Sequence, residues 1–380
     1  GYQALHWNTN KSYNSAFGNR ALFASTTGNN NDAFGSSALV ANTSGSYNTA
    51  MGSNSLAGNI SGYYNAAFGM YSLMSNTTAN SNSALGYAAL RLNTTGANNT
   101  AVGFQALEAN TAGINNTAIG HKALHDNTTA GFLTAVGNES LYSNTTGTGN
   151  IAVGHQALRF NTTGGGNTAM GHTALWSNTT SAYNSAYGNT SLYSNTTGGS
   201  NTAFGALSLR YSTTASNNAA SGSSALYSNT TGSQNTASGG AALYSNTTGY
   251  NNTASGYSAL YSNTTGTENV AIGRDALYAN TTVSSLTAVG HEALKSNTTG
   301  TTNVAVGRLA LKANTTGGGN TAVGANGALF LNTTGHNNTA LGVSTLRVNS
   351  TGVYNTAVGS SALYSNTTGG YNNAFGYGTM

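Results

Sequence analysis

Glycine returns every 17 residues along this chain, from Gly1 and Gly18 to Gly324, and after one 18-residue step at Gly342, Gly359 and Gly376. These marks bound 22 successive copies of one unit, Gly-x-x-Ala-Leu-x-x-Asn-Thr-Thr-Gly-x-x-Asn-Thr-Ala-Val, as in residues 307–323. A unit this short cannot bury an apolar face alone, so it must stack on its neighbours and pack against them. Helix is disfavoured, because Asn, Thr and Gly are poor interior helix residues and the Ala-Leu segment is too short to stand alone. The fold class predicted is therefore all-β: a parallel β-solenoid with one coil per 17 residues and about 22 coils, continuous over 1–380 as a single domain. Asn-Thr-Ala-Val-Gly reads as one strand of each coil and x-x-Ala-Leu-x as a second. The extra residue near Asn326-Gly327 should bulge outward without moving the columns on either side.

Stacking turns every repeat position into a column. Ala occupies one without exception, from Ala16 and Ala33 to Ala357 and Ala374, and Leu another from Leu5 to Leu363, ending at Met380. Both should line the narrow interior. The residue before each Gly forms a third column, including Phe17, Met51, Val102, Ile119, Phe204, Val306, Val323 and Phe375. Neighbouring strand residues face opposite sides, so this column and Ala cannot both point into one coil. The outward apolar column should then meet a second sheet or another chain, since a bare stripe of that length is unusual on a soluble monomer. Ser221, Ser238 and Ser255 interrupt it across three adjacent coils, and a shared axis would make them a polar core layer.

Charge and composition narrow the function. Only 5% of residues are Asp, Glu, Lys or Arg, against about 25% in ordinary domains, and the net charge of +4 is spread over 380 positions. That is too dilute for the basic stripe of a nucleic-acid binder, and no run of about 18 apolar residues reads as a membrane span. The chain has no Cys and therefore no disulfide, thiolate metal site or Cys nucleophile. Asp32, Glu108, Asp126, Glu139, Glu268, Asp275 and Glu292 are scattered, with Asp275 and Glu292 sharing a column, and read as a solvated charge ladder rather than a catalytic pair. His121, His155, His172 and His291 sit in a variable column after Gly, where exposed histidines are expected and only His155 and His172 stack. No enzyme, metal or other cofactor is expected.

Two columns remain as candidate sites. The position after Leu carries Trp176, Tyr193, Tyr227, Tyr244, Tyr261 and Tyr278, which read as a stacked aromatic ladder suited to glycan or protein recognition. Asn-x-Ser/Thr sequons recur at Asn144, Asn161, Asn178, Asn195, Asn229, Asn246, Asn263 and Asn297. They are N-glycosylation candidates, in competition with a structural Asn ladder that closes each turn, with the following Gly at a φ > 0 corner. Glycans on every coil would crowd, which favours the ladder.

Copies such as Asn-Thr-Ala-Val-Gly-Ala and Asn-Val-Ala-Ile-Gly-Arg resemble the repeats of trimeric β-roll heads in autotransporter adhesins. They are more similar to the Asn-Thr-Ala-Val-Gly and Ala-Leu-x-x-Asn-Thr-Thr-Gly arrays of phage tail-fibre-like proteins. The resemblance spans the chain and implies a homotrimer on a cell surface, a virion or elsewhere outside the cell, used for attachment. The longer, Leu-bearing unit departs from the adhesins. The expected function is thus a non-enzymatic extracellular fibre or adhesin shaft with a rigid, repetitive attachment surface, its partners being itself and a cell-surface glycan or protein receptor. The alternative is a self-assembling end-to-end filament or amyloid-like matrix protein, since the chain starts and stops within a repeat.

Overall fold

The computed structural model describes residues 1–8 and 12–380. They contain one three-residue strand per repeat, 22 in all from β1 (Ser15–Phe17) to β22 (Asn373–Phe375), and no helix. Two compact units emerge, Gly1–Asn189 with the first eleven strands and Thr190–Met380 with the last eleven. Within each, every strand pairs in parallel with the strand of the next coil. In the second unit, β13 (Ala219–Ser221), β14 (Thr236–Ser238) and β15 (Thr253–Ser255) match residue for residue, Ala220 to Ala237 to Ala254. The register survives the insertion, since Ala322 pairs with Ala340 while Ala325 and Asn326 project to solvent.

The interior is filled as the columns require. The strand alanines and the leucines are inaccessible along most of each unit, for example Ala237, Ala254, Leu243 and Leu260 at 0%. A further small column, the residue before Leu, is equally buried. Where it is Ser, as at Ser55, Ser72, Ser140 and Ser208, the hydroxyl donates to the carbonyl of the repeat Gly three residues earlier. That local bond lets a polar atom enter the core without a desolvation penalty.

The Ala-Leu segment differs from the expected second strand. It is a pair of tight turns, closed in one coil by Ala259 N–H donating to Gly256 O (3.3 Å) and Asn263 N–H to Leu260 O (3.2 Å). Every second residue is left-handed, as at Ser258 (φ 55°) and Leu260 (φ 51°). A left-handed Leu costs about 1–2 kcal/mol. Burying its side chain returns roughly 1.5–3 kcal/mol, and the curled backbone still bonds to the next coil through Leu260 N–H to Ala276 O (2.9 Å). Seventeen residues thus close a coil with one short strand and two reversals.

Candidate functional site

The outer strand face comes first, because the Ala column fills the inner one. Phe17 is 73% exposed, Leu85 52%, Ile272 42% and Val323 39%, so both units present an exposed apolar column. With one strand per coil, no second sheet among the described residues covers it. Ser221 and Ser238 lie on the same face and are exposed, and Ser255 is half-buried, bounded in register by Phe204 and Ile272.

The column after Leu lies on a different face. In the second unit Tyr227, Tyr244, Tyr261 and Tyr278 form a continuous stack with centroids 4.9, 5.1 and 5.1 Å apart and planes within 6°. Burial, and then the neighbouring phenols Tyr244 and Tyr278, push the Tyr261 hydroxyl above its ordinary value. Stacking turns the ring faces of neighbouring coils against one another. Tyr193 is set apart from this run by Arg210, whose guanidinium lies 5.9 Å from its ring centre. Trp176 belongs to the first unit, where its ring meets Phe160 edge-on at 4.6 Å.

Glu108, Asp126, Glu139, Asp275 and Glu292 are ion-paired. Lys295 Nζ bridges Glu292 (2.7 Å) and Asp275 (3.3 Å), and Lys312 Nζ holds the other Glu292 oxygen at 2.7 Å. The Lys295 and then the Lys312 hydrogen bonds lower the Glu292 carboxyl from 4.5 to about 2. A depressed folded-state value stabilises the protein fully above pH 4.5, and that contribution fades as pH falls toward about 2. Amide protection around Glu292, taken relative to the intrinsic exchange rate, should therefore fall over that window in the parent protein, and Glu292→Gln should remove this contribution. In the first unit Glu108 is buried against Arg91 (2.7 Å) and His125 (3.2 Å), and His125 Nδ1 meets Asp126 at 2.6 Å. His155 and His172 stack at 5.1 Å. No group of three or more His, Cys, Asp or Glu among the described residues is placed to hold a metal ion.

Asn144, Asn161, Asn178, Asn195, Asn229, Asn246, Asn263 and Asn297 are all fully buried, and the fold assigns them to a ladder. Asn246 Nδ2 donates to Asn229 Oδ1 (2.7 Å) and to Gly249 O (3.0 Å), while its own Oδ1 accepts from Asn263 (2.9 Å). Both amide hydrogens are used and the atom is out of reach, so the folded coil offers no glycan acceptor there. Gly249 has no positive φ, contrary to the corner expected for it; a Cβ there would instead lie 2.4 Å from Asn246 Oδ1 and 2.5 Å from Gly266 O. The positive φ belongs to the repeat glycines from Gly18 to Gly376, Gly324 excepted.

A second Asn ladder, two residues before the strand Ala, escaped the sequence reading although Asn recurs there almost as regularly. Asn252 donates to Asn235 Oδ1 (3.1 Å) and Gly266 O (2.8 Å). It is replaced at Leu133 and Leu286, in coils whose turn position holds Ala130 and Val283, whereas the coils with Ala79 and Ala215 keep Asn82 and Asn218.

No protein family and no curated protein matches the chain. Its faces are therefore read from their own chemistry: an uncovered apolar strand face, an aromatic and cationic ridge, and two buried amide ladders.

Proposed function

We propose that the chain is a non-enzymatic structural fibre displayed outside a cell or on a virion, packed as a homotrimer about the apolar outer strand column. The observation that carries this reading is that column, exposed in both units at Phe17, Leu85, Ile272 and Val323. Water contact along successive coils is unfavourable at about 25 cal/mol per Å² of apolar surface, and a parallel copy of the same column is a complementary cover. The three-fold geometry comes from the resemblance to tail-fibre-like and adhesin-head repeats. Identical faces repeated coil after coil would supply attachment through many weak contacts.

Sedimentation of the full chain tests it. The parent protein should run as a trimer, and the Val306→Asp, Val323→Asp double variant as a monomer with an unchanged β spectrum, because both side chains lie outside the coil. A monomeric parent protein overturns the reading. The serine interruption gives an independent check. Replacing Ser221, Ser238 and Ser255 by Val should raise the Tm of the assembly, since each enclosed valine adds roughly 1.5–3 kcal/mol. An unchanged Tm would mean that this stretch faces solvent.

A further inference from the structure

All six Lys and Arg residues of the second unit, Arg210, Arg274, Lys295, Arg308, Lys312 and Arg347, fall in two columns, the one after Gly and the one after Leu. Between these columns Asp275 and Glu292 are the only acids, and Lys295 and Lys312 are engaged with them. Arg274 keeps a 65% exposed side chain at 3.6 Å from Asp275, and Arg308 is exposed two coils further on, with His291 in the coil between. The same two columns flank a groove of about 350 Å³, walled by Tyr257 on one side and Tyr244 and Tyr261 on the other, over Gly240 and Ala241.

From this coincidence of cations and groove we infer that the second unit binds an acidic polysaccharide along this face. The sugar rings lie in the groove beside Tyr257, and the carboxylate or sulfate groups reach Arg274 and Arg308. Coils about 4.8 Å apart put these guanidinium groups roughly 10 Å from one another, a sparse spacing that suits a chain with acids on separate sugars. Arg gives paired hydrogen bonds to such groups. Single-stranded nucleic acid fits less well, because its bases need open aromatic faces and the Tyr227 to Tyr278 stack covers its own. The inference rests on the attachment role proposed above, which self-association measures separately.

Calorimetric titration of the full chain with alginate, dextran sulfate, neutral dextran and oligothymidine provides the test. Binding of alginate or dextran sulfate, weakened by salt and absent with neutral dextran, is expected; the preferred probe tells carboxylate from sulfate. Arg274→Gln with Arg308→Gln should weaken it about tenfold, and Arg20→Gln in the first unit should leave it unchanged. Circular dichroism of the variants controls for folding. Failure to bind either acidic glycan, equal binding of neutral dextran, parent-like affinity in the double variant, or tighter oligothymidine binding overturns the inference. A glycan-binding monomer would overturn only the trimeric fibre.

Discussion

Gly256→Ala should destabilise the second unit by about 3 kcal/mol, the cost of a side chain in a backbone region reserved for glycine together with a clash. Gly256 has φ +133°, and a Cβ there would lie 2.6 Å from the carbonyl carbon of Gly273 in the next coil. Because the obstacle is backbone and is repeated above and below, neither coil can yield without breaking its ladder. Gly249→Ala is the control. A Cβ at Gly249 is also close to its neighbours, but its φ is not positive, and Ala79, Ala130, Ser181, Ala215 and Val283 occupy the same column. Thermal melts followed by far-ultraviolet dichroism should therefore place Gly249→Ala much nearer the parent protein than Gly256→Ala. Equal losses would mean that crowding alone, and not the backbone angle, reserves the repeat position for glycine.

Asn246→Asp should be costlier still. It exchanges an amide nitrogen that donates to Asn229 Oδ1 and Gly249 O for an oxygen that repels both, at a site with no solvent access. An uncompensated buried charge costs about 3–5 kcal/mol. Burial raises the pKa of such a carboxyl, so the variant should regain stability as pH falls through that raised value, where the protonated acid can again donate one hydrogen bond. Asn246→Ala removes the repulsion and should cost less, roughly 1–3 kcal/mol for each partner left unpaired. Hydrogen exchange in the neighbouring coils would report the ranking, and an Asp variant as stable as the parent at neutral pH would sink the ladder as a source of stability.

What could be read before any coordinates were known is whatever repetition exposes. Ala254 and Leu260 could be placed inside, and Val306 outside, because a 17-residue period turns each position into a column and strand alternation separates the two faces. The insertion at Asn326-Gly327 could be located for the same reason. Periodicity does not encode backbone angles. Leu260 in an Ala-Leu pair looks like a strand residue, and only the closed coil shows that it is left-handed, with burial offsetting the strain. Nor does a sequon disclose its burial: Asn246 and Asn263 carry the pattern of a surface acceptor, and the coil's closure onto Gly249 and Gly266 draws them inside. Arg274 and Arg308 stand 34 positions apart and look isolated in a weakly charged chain. Stacking brings them onto one face beside a tyrosine-walled groove, because a solenoid converts multiples of its period into neighbours in space. The sequence alone thus determined which residues share a column, while tertiary closure decided the conformation of each column and the solvent or partner it meets.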